Sequence, residues 1–156
     1  MEESIDQTKQ EELKAWIKKQ LDDAVQKLMK QGDVEGLLVE AKPAWVLPFQ
    51  ILIGKIRPQG QTRGFQWCIC GEVPTDFLQS SIAITPRDAL RHFSMKWQLE
   101  AARHHDKVTQ GLSGPESESV REVGGVQLSE MAEALYELVD DARLWLQEGG
   151  VTNAKS

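Results

Sequence analysis

The chain has 156 residues, of which 40% are hydrophobic and 27% charged, with a formal net charge of −6. That length is most simply one domain, residues 1–156, able to withdraw roughly 68–70% of its unfolded surface from water and so to fold without metal or disulfide staples. The acidic balance argues against nucleic acid as a partner, and the absence of any apolar run of ~18 residues argues against a membrane span.

The first predicted element is a helix over residues 9–31. Leu13, Trp16, Ile17, Leu21, Ala24, Val25, Leu28 and Met29 recur at spacings of three and four, and Gly32 stands where a C′ residue would. Its lead, MEESIDQTKQEEL, is acidic and has no apolar h-region, so a cytoplasmic setting with reduced thiols is expected. The next stretch, DVEGLLVEAK, is ambiguous; Leu37, Leu38 and Val39 form a weak strand or plug the core.

Residues 45–57, WVLPFQILIGKIR, are rich in strand-forming side chains, with Pro48 confining its neighbourhood to an edge, a bulge or a strand start. Pro58, Gly60 and Gly64 mark a hairpin loop. Beyond it, residues 65–73 alternate, with Phe65, Trp67, Ile69 and Val73 on one face and Gln66, Cys68 and Cys70 on the other. The segment TDFL reads as a turn around Thr75 and Asp76, and residues 80–84 as a third short strand with Ile82 and Ile84 on a common face. Three antiparallel strands result.

A second helix over 86–107 announces its own start. Thr85 is placed to cap it, Pro86 occupies the first helical position, and Asp88 lies where an acid closes a capping box. Leu90, Phe93, Trp97 and Ala101 form its apolar stripe, while Arg87, Arg91, His92, Lys96 and Gln98 fall largely outside it. Glycines, serines and a proline make residues 109–127 a flexible linker. A last helix over 129–148, capped by Ser129, presents Met131, Leu135, Leu138, Val139, Ala142, Trp145 and Leu146 before Gly149 and Gly150 end it, and residues 151–156 form a loose tail. The fold class is α+β: an N-terminal helix, a three-stranded antiparallel meander, and two C-terminal amphipathic helices packed on the sheet.

Chemistry is sparse. Cys68 and Cys70 lie about 7 Å apart on one strand face, as two ligands of a soft metal could. No Cys-x-x-Cys spacing accompanies them, nor any His-x-x-x-His spacing among His92, His104 and His105, so both read as buried structural thiols and no cofactor or metal is expected. There is no nucleophile elbow, P-loop or dinucleotide fingerprint. Asp76, in a turn at the sheet's mouth, could meet Arg91 and His92 of the following helix, and those three groups together can bind a polar ligand or move a proton. The plainer reading has Asp76 capping its turn and Arg91 paired with an acid. Of five tryptophans, four sit on apolar stripes; Trp45, between Pro43 and Pro48, is the one to suspect at a ligand or partner contact.

Charge is unevenly spread. Pro86 to Lys107 holds five Lys or Arg against three acids, a balance of +2, whereas Glu116 to Glu148 holds nine acids against Arg121 and Arg143, a balance of −7. These are two solvated helix faces, or else the second is a docking surface for a basic protein partner.

The run GEVPTDFL through ITPRDALRHFSMKWQLEAAR, with its Pro-Thr-Asp turn and its Ala-Leu-Arg-His-Phe-Ser and Trp-Gln-Leu helix, resembles the small bacterial proteins of domain of unknown function family 4826. The resemblance is carried by Gly71 to Arg103, is weaker before that, and does not extend to the linker or last helix. It lends no activity. It implies a bacterial cytoplasm and singles out Pro74, Thr75, Asp76, Arg91, His92, Phe93, Trp97 and Gln98. The expectation is therefore a small acidic accessory or protein-interaction module that is not an enzyme, working on a protein partner or as a homo-oligomer. Trp45, Thr75, Asp76, Arg91, His92 and Gln98 are its candidate contacts. The alternative is a small-ligand binder or enzyme with its site around Asp76, Arg91 and His92.

Overall fold

A computed structural model of the chain describes residues 2–30, 39–58 and 64–145. Gly32 as a helix stop, the strand at Leu37 and Leu38, the loop at 59–63, the stop at Gly149 and Gly150 and the tail 151–156 lie outside the described residues. The protein is α+β, with an N-terminal helix, an antiparallel sheet and C-terminal helices, and it divides into two compact units, residues 1–82 and 83–156.

The first unit holds α1 (Glu2–Lys30), β1 (Val39–Leu47), β2 (Ile51–Pro58), β3 (Gln66–Gly71), β4 (Asp76–Gln79) and a 3-10 turn, Ser80–Ile82. The sheet has four strands in the order β1-β2-β3-β4, every neighbouring pair antiparallel, where the sequence reading expects three. Two corrections account for the difference. Residues 45–57 are not one strand but the two arms of a hairpin, reversed at Pro48 and Phe49 and closed by Gln50 N–H donating to the Leu47 carbonyl at 2.9 Å. Pro48 fixes the backbone at the first corner, and Phe49 takes a positive φ of 62° at the second, the sign pattern of a type II turn. A bulky residue rarely adopts that conformation, so Pro48 is the turn's local signal and Phe49 gives none.

The second correction is at the sheet's far edge. Asp76 to Gln79, which reads as a turn, pairs with β3 as β4, while the expected strand 80–84 is a 3-10 turn followed by irregular chain. Its two isoleucines face water, Ile84 at 89% exposure.

Helix α1 lays Leu21, Ala24 and Leu28 on the sheet face formed by Leu52, Ile56, Cys68 and Cys70, with Trp16, Ile17 and Phe77 packed at the margin. Gly54 permits the close approach: a Cβ there would stand 2.9 Å from Leu21 Cδ2 and 3.1 Å from the Lys42 carbonyl oxygen. At the end of β3, Gly71 has φ 116°, and a Cβ would fall 2.3 Å from the Gln50 carbonyl oxygen, which accepts from Glu72 N–H at 2.8 Å. Only glycine fits this corner. The opposite sheet face carries Ile53, Trp67 and Ile69, all fully buried, so the predicted alternation along β3 holds.

The second unit is α2 (Pro86–Thr109), α3 (Glu118–Val123) and α4 (Gly125–Asp140). Helix α2 packs on α4, and Ser94 Oγ reaches the Ala132 carbonyl between them; Leu90, Phe93, Ser94, Trp97 and Ala101 of α2 and Leu128, Ala132, Leu135 and Val139 of α4 are all buried. The segment 109–127, read as a linker, contains α3, whose cap Ser117 accepts from Val120 N–H and whose Val120 is buried. Helix α4 begins at Gly125 rather than 129. Its N-cap is Gly124 at φ 84°, without a side-chain cap, so Ser129 is an interior residue.

Candidate functional site

The start of α2 is built as its residues dictate. Thr85 Oγ1 accepts from Asp88 N–H at 3.1 Å, which satisfies one of the helix's orphan donors, and Asp88 Oδ2 accepts from the N–H of Ile84, the residue before the cap, at 3.3 Å. The same carboxylate then gathers two of the candidates, Arg91 and His92. Its Oδ1 accepts from Arg91 NH1 at 3.1 Å and lies 3.8 Å from His92 Nε2. Arg91 and His92 are thus brought together by Asp88, a residue assigned only a capping role from the sequence.

Asp76 belongs to the first unit. It opens β4, where its Oδ1 accepts from Phe77 N–H at 2.8 Å. Thr75 contributes its carbonyl oxygen, which accepts from Lys27 Nζ at 2.8 Å and ties the end of α1 to the edge of the sheet. Trp45 is half-buried on β1 just past a bulge at Pro43, opposite Ile53. Gln98 is exposed on α2; its Nε2 donates to Ser94 Oγ at 3.1 Å, and Ser94 donates to the Ala132 carbonyl at 2.7 Å, a stitch between α2 and α4.

Of the six candidates, Gln98 lines a concavity. That cleft, of about 540 Å³, runs between α2 and the first turns of α4. Ala101, Ala102, Val108 and Val126 form its apolar wall, and His104, Ser129 and Glu130 add polar groups at its rim. His104 Nδ1 lies 3.1 Å from Glu116 Oε1, and the ring sits 2.7 Å from where a Gly125 Cβ would be, so glycine lets the start of α4 come up against it. Lys107 donates to the Pro115 carbonyl at 2.6 Å, holding the chain before α3 against α2.

Beside the cleft, α4 turns Glu130, Glu133, Glu137 and Asp140 to solvent. The helix carries no Lys or Arg, and among the described residues none of the four acids has an ion-pair partner. The far end of α4 is finished differently. Arg87 Nε donates to the Val139 carbonyl at 2.9 Å, Trp145 Nε1 donates to the Leu138 carbonyl at 2.9 Å, and the guanidinium stands over the Trp145 ring. Arg87 has no signal in the sequence beyond a polar place in the first turn of α2, because its acceptor lies 52 residues away.

The two cysteines are free and buried in the core beneath α1. Hydrogen bonding with Cys70, then burial, pushes the Cys68 thiol well above its ordinary value. Such a thiol is protonated and a poor nucleophile or ligand. Among the described residues no group of three or more His, Cys, Asp or Glu is placed to hold a metal, and no helix is long and apolar enough to cross a membrane.

The family model for a domain of unknown function (DUF4826) matches residues 9–145. The chain belongs to that family. The match takes in α3 and α4 as well as the Gly71 to Arg103 stretch that carries the resemblance in the sequence. No curated protein and no solved structure matches the chain.

Proposed function

We propose that this DUF4826 protein is a non-enzymatic protein-interaction module of a bacterial cytoplasm, and that its docking face is the α2/α4 cleft with the acidic side of α4. The observation that carries this is the pairing of an apolar groove with unneutralised charge. Val126 and Val108 stand 78% and 64% exposed at the cleft, and the four acids of α4 run alongside with no cation of their own helix. Such a face fits a basic partner segment that places one or two apolar side chains in the groove and Lys or Arg along α4.

A polar site formed by Asp76, Arg91 and His92 has less support. Arg91 and His92 are engaged by Asp88 in the first turns of α2, the arrangement of a capped helix start.

The test is fluorescence anisotropy with a labelled amphipathic peptide of leucine and lysine, alongside the same peptide with glutamate for lysine. The lysine peptide should bind, more weakly as salt rises, and should lose affinity to Glu133→Lys/Glu137→Lys and to Val126→Asp while their melting curves match the parent. Equal binding of both peptides, or no effect of the substitutions, overturns the proposal, as does a sedimenting dimer that these substitutions dissociate.

A further inference from the structure

A second surface, on the first unit, is independent of the docking face. On β1 and β2 the register sets Glu40 opposite Arg57 and Lys42 opposite Lys55, on the sheet face away from α1. Arg57 is satisfied: its Nε and NH2 both lie 2.9 Å from Glu40 Oε2, so the one acid here is spent on it. Lys42 and Lys55 are not. Among the described residues neither has an ion-pair partner, and like charges directly opposite on adjacent strands repel. Lys55 is held in place by aromatic faces, its Nζ 4.8 Å from the Phe65 ring centre and 5.1 Å from that of Trp67, which is fully buried. These residues line a concavity of about 320 Å³, formed by Glu40, Lys42, Lys55, Arg57 and Phe65.

We infer that this concavity binds the phosphate monoester of a small molecule, with Lys42 and Lys55 as the charge contacts and Phe65 as a wall for an apolar or aromatic group. The charge count favours a dianion: three cations less the one carboxylate leave two positive charges facing the space, in a chain whose net charge is −6. Ammonium groups serve phosphate well as point charges, and Arg57, anchored by Glu40, steadies the strand pair behind them. The volume is at the small end of ligand pockets, which suits a small phosphorylated molecule rather than a polymer. A bound phosphate would also relieve the Lys42/Lys55 repulsion, so binding and stability should be linked.

The test is calorimetric titration of the full chain with inorganic phosphate and with phenyl phosphate, ionic strength held constant with sodium chloride. Both probes should bind saturably, phenyl phosphate about two- to tenfold tighter through its ring. Lys42→Gln and Lys55→Gln should each weaken both about tenfold. Lys42→Gln should in addition raise the melting temperature in phosphate-free buffer, because it removes the repulsion; since that side chain is exposed, the variant is expected to fold. No saturable binding of either probe, unchanged affinity in both variants, or a lower melting temperature for Lys42→Gln overturns the inference. A phosphotyrosine peptide that binds more tightly than phenyl phosphate overturns its assignment to a small molecule.

Discussion

Replacing Trp97 by alanine is the most direct trial of the buried stripe of α2. The side chain is fully buried in α2 and stacks at an incline on Phe93, with ring centres 6.4 Å apart and planes at 48°. A buried tryptophan removes ~150–250 Å² from water, worth ~4–6 kcal/mol at ~25 cal/mol per Å². Truncation of large aromatics in cores costs ~3–5 kcal/mol, since neighbours close part of the void. We expect Trp97→Ala to lose about 3–5 kcal/mol in urea denaturation, a large part of the ~5–15 kcal/mol that holds an ordinary domain together. Leu99→Ala is the control: it lies on the same helix but faces water, so it should change stability by less than about 0.5 kcal/mol. Equal midpoints for the two variants would refute the burial of Trp97 and of the apolar stripe of α2.

Two further outcomes follow from the geometry. Asp88→Ala removes the reciprocal half of the helix cap and should cost about 0.5–2 kcal/mol, whereas Arg91→Ala, losing a half-exposed ion pair, should cost under about 1 kcal/mol; the reverse order in thermal melts would mean that Arg91 is anchored elsewhere. Because the folded chain holds the Cys68 thiol's ionisation above that of an unfolded thiol, stability should be unaffected below about pH 8.5 and fall as pH rises beyond it; native protein labelled by a thiol reagent at pH 8 as fast as a free cysteine would contradict the burial.

The start of α2 was legible because everything that makes it is local: Thr85, Pro86 and Asp88 lie within four residues of one another, and the stripe Leu90, Phe93, Trp97, Ala101 repeats at the helical period. The sheet was legible only where one face differs from the other. Along β3 the alternation is visible even though both faces are buried, since Cys68 and Cys70 separate from Trp67 and Ile69 by residue type. In β2 nearly every position is buried and apolar, so the run Ile51 to Ile56 has no period of two and its start cannot be seen. The reversal before it rests on Phe49 at positive φ, a residue with no turn preference, and β4 is only four residues long and opens on Asp76, which favours turns. Local propensity failed at both places because strand pairing overrode it.

The same distinction governs the surfaces. Two residues that look chemical, Arg91 and His92, lie against a near neighbour in the chain, Asp88. The groups left with unanswered charge come from placements that no spacing reveals. Lys42 and Lys55 are 13 residues apart and meet only because the Pro48 turn sets the register of β1 on β2. Glu130, Glu133, Glu137 and Asp140 follow the helical period, yet what distinguishes them is that the buried side of α4 is already satisfied by α2, leaving the acidic side facing water. Function in this chain is therefore better sought where packing leaves charge uncompensated than where the sequence clusters reactive side chains, because the reactive types here serve to cap, to pair and to fill.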